Sequence, residues 1–272
     1  MIRSEEPLIT APVIVLVGPT AVGKTSLSLD IAKWYDCEIV SLDSMQVYRH
    51  MDIGTAKASA EERSIVAHHL IDIIDRDTPY DASSYVGDAL RAIESIQRRH
   101  KVPLITGGTG LYLRALTHGL FEKGGSFPDL RAEFHQKLER EGACRLHKEL
   151  SRIDPESARK IHINDTHRLI RGLEIYYGTN KPWSEHLAEQ RRQRATMRFT
   201  NILSMGLYSP RETLYARIDR RTASMMRQGL EEEVSCLLEK GYHRNLKSMQ
   251  AIGYRHMVEH LLDGRPLRET EA

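Results

Sequence analysis

Cysteine is scarce in this sequence. Three residues, Cys37, Cys144 and Cys236, stand far apart. None belongs to a CxxC pair or a His/Cys cluster, which removes a metal knuckle, and an odd count gives no disulfide framework. Reduced thiols in a cytoplasmic protein are the expectation. Long apolar runs are also missing: none approaches the ~20 residues that cross a bilayer. The opening MIRSEEPLITAP lacks the apolar centre of a secretory signal, so no membrane partner is expected. A net charge of only +2 neither argues for nucleic acid nor excludes it. Basic residues gather at RRQR (191 to 194) with Arg198, and at RIDRR (217 to 221). A solvated helix face explains such runs more readily than RNA does. Internal repeats and low-complexity tracts are absent.

At 272 residues the chain suits one large domain or two modest ones and is long enough to bury a core. VIVLV (13 to 17), EIVSL (38 to 42), HLIDII (69 to 74) and VPLIT (102 to 106) read as strands, and NILSMGLY (201 to 208) as a fifth. Helical patterns at 24 to 35 and 84 to 100 lie between them. Continuous apolar strands alternating with helices predict a doubly wound α/β core, a parallel sheet with helices on both faces. From 120 to 196 the β-rich runs vanish. That stretch is polar, charged and helix-periodic, with stops at Gly124-Gly125, Gly142, Pro155, Gly178 and Pro182. It predicts an all-helical insertion at 120–196 in a core made of 1–119 and 197–272. After residue 209 helices return, in PRETLYARIDRRTASMMRQG, LEEEVSCLLEKG and SMQAIGYRHMVEHLLDG.

The first strand runs into GPTAVGKT, and a helix follows. Gly18, Gly23, Lys24 and Thr25 match the G-x-x-x-x-G-K-[ST] phosphate loop in its proper context. The glycines let the loop of Gly18, Pro19, Thr20, Ala21, Val22 and Gly23 wrap so that the N–H groups of its non-proline residues face an anion, and the helix N-terminus adds its dipole. Lys24 supplies a point charge, and the Thr25 hydroxyl can ligand Mg²⁺. The fold is thereby P-loop NTPase-like, with a di- or triphosphate ligand. Hydrolysis of that ligand would call for an acidic residue at another strand end. VPLIT leads instead into Thr106-Gly107-Gly108-Thr109-Gly110, without a carboxylate. The nearest strand-end acid is Asp43, which topology brings to the same sheet edge. It can act as a base or cap a turn. Further on, Asn164 or Asp165 can cap a helix on which Arg168 and Arg171 share a face, while Leu169, Ile170 and Leu173 fall toward another face, expected to be core. Those arginines suit either backbone phosphates or a surface ion network.

GPTAVGKT, LDSMQVYRHMDIGTAK, HHLID, PLITGGTGLYLRAL, NDTHRLIRGLEIY and QAIGYRHM, in this order and spacing, resemble the bacterial tRNA dimethylallyltransferase family from residue 13 to about 262. The resemblance implies transfer of a dimethylallyl group from its diphosphate to the exocyclic amine of the adenosine beside the anticodon. It also implies a phosphate loop that cradles the diphosphate leaving group with Mg²⁺. Asp43, Lys24 and Thr25 are then the catalytic residues. Arg217 and Arg221 are further candidates for the diphosphate. The tRNA would lie along Asp43, Ser44, Met45, Gln46, Thr109, Arg131, His167, Arg168, Leu169, Ile170, Arg171, Gln250, Ala251, Ile252, Gly253, Tyr254 and Arg255, with the insertion gripping the anticodon stem-loop. Members of that family continue past the GYRHM helix into a basic helix, whereas this sequence ends at LRETEA. A monomer is the default expectation.

Three alternatives predict different behaviour. An adenylate prenyltransferase would alkylate a free nucleotide. A small-molecule kinase would transfer phosphoryl from ATP, with little use for an arginine-bearing insertion. A GTPase-like switch would need a base-reading [NT]KxD motif, which the sequence lacks.

Overall fold

The computed structural model describes residues 9–119, 127–193 and 198–267, and of residues 190–193 the backbone alone. The predicted stop at Gly124-Gly125, the side chains of the basic run 191–194 and the terminal RETEA lie outside the described residues. Two compact units emerge. One combines the chain up to Thr117 with the chain from Arg198 onward, and the other runs from His118 to Met197.

The first unit opens with β1 (Val13–Val17), α1 (Lys24–Trp34) and β2 (Cys37–Leu42). Every residue of β2 is buried, as a strand covered on both faces requires. Next come α2 (Ala60–Ile65), β3 (His68–His69), α3 (Ala82–Arg98), β4 (Val102–Gly107) and α4 (Gly110–His118). Asp81 caps α3 by accepting from the Ser83 and Ser84 amides, both at 2.9 Å. Tyr85, Ala89, Ile93 and Ile96 recur at helical spacing on its buried face.

The second unit holds α5 (Pro128–Ile153), α6 (Pro155–Lys160), α7 (Thr166–Thr179) and α8 (Trp183–Gln193). The chain then returns to the first unit with β5 (Ile202–Gly206), α9 (Arg211–Arg227), α10 (Leu230–Glu239) and α11 (Tyr254–Asp263). The five strands form one parallel sheet in the order β3-β2-β4-β1-β5. Val17 and Leu42 both stand level with Gly107. The carboxyl ends of β1, β2 and β4 therefore meet at one edge. Leu16, Ile31, Cys37, Ile39 and Leu104 pack beneath it. Among the described residues no helix is long and apolar enough to cross a membrane.

Two predicted elements are shorter than the sequence suggests. Of the strand expected at 69–74 only His69 pairs, in the two-residue β3 (His68–His69). Beyond it Leu70 and Asp72 take left-handed φ values of 62° and 57°, and the Asp72 carboxylate accepts from Lys57 (2.6 Å) and Arg63 (2.7 Å). Ion pairing turns this segment out of the ladder. The helix expected from Ser248 begins only at Tyr254.

In the second unit Phe134, Leu146, Leu150, Leu169, Ile170 and Leu173 form the core. α5 breaks at Gly142 (φ 77°, ψ 163°), at one of the predicted stops. Gly178, another predicted stop, lies inside α7. A side chain there would run into the Phe127 ring, so that glycine serves packing. The helix ends instead on Asn180 in the left-handed conformation (φ 54°). Asp154 accepts from the Ser157 amide (3.0 Å) and the Ser184 amide (2.9 Å), fixing the starts of α6 and α8.

Glu174 of α7 is fully buried, accepts from the Phe127 amide (2.9 Å) and Arg131 (2.9 Å), and forms an ion pair with Arg171 (3.0 Å). Burial pushes its carboxyl pKa up, but the Phe127 amide, Arg171 and Arg131 outweigh that and hold it below the ordinary value. A depressed carboxylate pKa stabilises the fold above the unfolded value of ~4.3, and that stability drains as pH falls through the folded value. Glu174→Gln is expected to cost about 2 kcal/mol at neutral pH, because two guanidinium groups lose a charged acceptor. It should also remove part of the acid-side loss of Tm, both effects being read by thermal unfolding across pH.

Candidate active site

At the shared sheet edge the chain leaves β1 through the loop Gly18–Gly23 and enters α1. Gly23 caps that helix at φ 106°, a conformation that favours glycine. The first turn of α1 carries no acidic residue and no side-chain cap, so its leading N–H groups stay open to an anion. Gly107 ends β4 so close to β2 that a side chain would strike the Leu42 carbonyl. Here the glycine run permits close approach of two strands.

A cavity of about 280 Å³ opens over this edge. Thr20, Ala21, Gly23, Lys24 and Thr25 line it from the loop side, Asp43 and Gln46 from the end of β2, and Gly107 and Gly108 from the end of β4. Arg221 of α9 closes it from nearly two hundred residues away in sequence. The Lys24 ammonium donates to the carbonyls of Gly18 (2.9 Å) and Pro19 (2.8 Å). Burial lowers its pKa, the Arg221 charge lowers it further, and Asp43 opposes both. Burial likewise depresses the Arg221 guanidinium pKa against the pull of Asp43. Two cations depressed mainly by burial, lining one cavity with a single carboxylate, make a site poised for an added anion.

Asp43 uses Oδ1 to accept from the amides of Met45 (2.8 Å) and Gln46 (3.2 Å). It closes an Asx-type turn, and Oδ2 makes no hydrogen bond among the described residues. The carboxamide of Gln46 is tied into the protein. Its oxygen accepts from Ser41 (3.1 Å), and its nitrogen donates to the carbonyls of Thr55 (3.2 Å) and Ala56 (3.3 Å). Only one lone pair on Oε1 remains for a ligand. Ser44 and Met45 are half-buried in the turn. Thr109 stands beside the cavity, its amide donating to Leu42 (3.1 Å) and its carbonyl starting α4.

The remaining candidates divide. Arg217 donates to the carbonyls of Val22 (3.2 Å) and Ala21 (3.4 Å), so its charge supports the loop from outside the cavity. In the stretch 250–255, Gln250, Ile252 and Arg255 are exposed, Ile252 at 84%. Ala251 and Gly253 are half-buried. Tyr254 is fully buried and donates its hydroxyl to Glu233, so the expectation that it faces RNA is corrected: its ring is core. In the second unit His167 and Arg168 are exposed, with Arg168 beside Asp165 at 3.4 Å. Leu169 and Ile170 are also corrected, because both lie in the apolar centre of that unit. Arg131 and Arg171 are the partners of Glu174.

Sequence reasoning missed Ser28, Ser41, Thr55, His68, Ile71 and Thr106, all on the cavity wall. His68 sets its Nδ1 2.8 Å from the Val66 carbonyl, and burial lowers its pKa. Thr106 Oγ1 is buried with no hydrogen-bond partner among the described residues. Its place at the end of β4, before the glycines, was the available signal. An orphaned hydroxyl near Thr25 and Asp43 supplies hard oxygen donors of the kind Mg²⁺ prefers. Among the described residues no cluster of three or more His, Cys, Asp or Glu could cage a metal unaided.

Known proteins share this architecture. The model of the family described as IPP transferase matches residues 46–271, and that of isopentenyl transferase matches residues 11–78. A tRNA dimethylallyltransferase of Desulfotalea psychrophila is 51% identical over 226 residues, 83% of this chain and 71% of that protein. The crystal structure of a tRNA delta(2)-isopentenylpyrophosphate transferase from Staphylococcus epidermidis is 38% identical, with a TM-score of 0.66, and the match covers 96% of this chain and 84% of that one. A eukaryotic dimethylallyltransferase, solved in crystallographic snapshots of its action on tRNA, is 31% identical with a TM-score of 0.76, over 96% of this chain and 65% of that one. The parallel sheet, the phosphate loop and the cavity beside Asp43 stand on a chain that belongs to the IPP transferase family.

Proposed function

We propose that this enzyme transfers a dimethylallyl group from dimethylallyl diphosphate to the exocyclic N6 amine of the adenosine 3′ of the anticodon in tRNA, releasing diphosphate. The observation that carries the reading is that Lys24 and Arg221, both half-buried cations, line one cavity with Asp43 beside the phosphate loop. Such a pair suits a leaving group whose negative charge grows as its C–O bond breaks. The relatives named above support prenyl transfer and tRNA.

The exocyclic amine is a poor nucleophile, because its lone pair is delocalised into the ring. Rate must come from departure of the diphosphate and from alignment. The N6 lone pair attacks the allylic carbon, the bond from that carbon to the diphosphate oxygen breaks, and the amine proton passes to Asp43 Oδ2. Lys24, Arg221 and the loop amides neutralise the departing charge, while Arg217 keeps the loop in shape. Thr25, with Thr106 and Asp43 on the same cavity wall, would hold Mg²⁺, which would supply positive charge to the leaving group. The target base leaves its stack to enter the cavity, where Gln46 Oε1 offers it an acceptor. His167 and Arg168, exposed on the helical unit, suit phosphates of the stem-loop. Free thiols at Cys37, Cys144 and Cys236 agree with a cytoplasmic enzyme.

The absence of a carboxylate beyond β4 counts against a kinase, which must organise attack at phosphorus. The test is direct. The protein is incubated with dimethylallyl diphosphate, Mg²⁺ and an anticodon stem-loop, with AMP and ATP as competing acceptors, and every product is weighed. One dimethylallyl group gained by the RNA alone supports the reading. A gain on AMP alone, or phosphoryl transfer from ATP, overturns it.

A further inference from the structure

We infer that Glu233 is a positioning residue for the acceptor base, acting through the loop Asp52–Ala56 on Gln46. The inference rests on the proposed reaction and adds a group that touches none of the reacting atoms. Glu233 lies on α10, far in sequence from the phosphate loop. Its Oε2 accepts from the amides of Asp52 (3.0 Å) and Ile53 (2.9 Å), and its Oε1 from Gly54 (3.4 Å) and the Tyr254 hydroxyl. Three successive N–H groups converging on one carboxylate are a strong, directional clamp. The loop packs tightly at the clamp, because a side chain at Gly54 would collide with the Tyr254 ring and come within 2.9 Å of Leu230.

The clamped loop then does two things at the cavity. Its Thr55 and Ala56 carbonyls take both protons of the Gln46 amide, which fixes Oε1 as the face left for a ligand. Thr55 and Ala56 also form part of the cavity wall. Internal bonds make the loop move as a unit. Thr55 Oγ1 donates to Met51 (2.6 Å), and the Ala56 amide donates to Ile53 (2.9 Å). Loosening the carboxylate end therefore shifts the Gln46 carbonyl at the other. Lys24 and the phosphate loop make none of these contacts, so the effect should fall on the acceptor and spare the donor.

Glu233→Gln keeps the size but turns an N–H₂ toward backbone donors. The expected result is a roughly 10- to 100-fold loss in kcat/KM for the RNA, since small displacements at a reacting centre cost that much. The KM for dimethylallyl diphosphate should stay within about twofold of wild type. In a Gln46→Ala background the same substitution should add less than about twofold, because the coupled residues share one effect. Tyr254→Phe, which removes only the hydroxyl donated to Glu233, should shift RNA kinetics in the same direction by less. It carries the test alone if Glu233→Gln does not fold. Equal losses toward donor and acceptor, or full additivity with Gln46→Ala, would overturn the positioning role. Wild-type enzyme that modifies no RNA would overturn the parent reaction instead, so the two failures are distinguishable.

Discussion

Asp43→Asn is expected to lower turnover on RNA about 100-fold or more with both substrates saturating, the usual scale for a lost general base. Asparagine is the informative replacement. Its Oδ1 can still accept from the amides of Met45 and Gln46, which Asp43 now holds at 2.8 and 3.2 Å. The turn after β2 is thus preserved, and Tm should barely move. The second position changes from an acceptor to a donor, so the amine proton has nowhere to go. Asp43→Ala would mix two effects, because it also frees two backbone donors, at about 1 kcal/mol each. A near-wild-type kcat for the asparagine variant would leave Asp43 as a turn cap and nothing more.

Lys24→Ala should cost about 10²- to 10³-fold in kcat/KM for the prenyl donor, as removal of a preorganised charge at a developing anion does elsewhere. The folded loop should survive, because Arg217 still braces the Ala21 and Val22 carbonyls. The pH dependence gives an independent reading. Burial and Arg221 depress the Lys24 pKa in the free enzyme, and kcat/KM reports free-enzyme ionisations. Its alkaline limb should therefore begin below the ordinary lysine value of ~10.4. That limb should be missing from Lys24→Ala. Unaltered donor kinetics in the variant would place the diphosphate elsewhere.

Much of this site is legible in the sequence. A phosphate loop needs an apolar strand, glycines at fixed spacing and a helix. All three are local, and residues 13 to 34 show them in order. Parallel topology then brings Asp43 and the Gly107-Gly108 turn to the same edge without further information. What escaped depends on tertiary packing. Arg217 and Arg221 are both candidates for the diphosphate in the sequence, and only the packing of α9 shows that Arg221 lines the cavity while Arg217, one turn earlier, braces the loop. Glu174 reads as one more charged residue on a helix, yet its burial makes Arg131 and Arg171 structural. Helical spacing turns Leu169 and Ile170 toward the core, where the structure has them, while the family motif that runs through them implies RNA contact, so spacing is the better guide there. Tyr254 shows the same limit, since a family motif marks positions that matter without saying whether they touch substrate or hold the fold. The shortened β3 was misread because an apolar run with one aspartate looks like a strand until two cations are found waiting for that aspartate.

The central claim is that the phosphate loop holds a leaving group and that bonds change at carbon. One labelling experiment tests it most directly. Dimethylallyl diphosphate carrying heavy oxygen at the bridge between carbon and phosphorus is turned over with the stem-loop RNA, and both products are weighed. Attack at carbon leaves the label wholly in the released diphosphate, with an unlabelled dimethylallyl group on the RNA. Label retained by the organic product, or phosphate joined to any acceptor, would mean attack at phosphorus and would contradict the role assigned here to the loop.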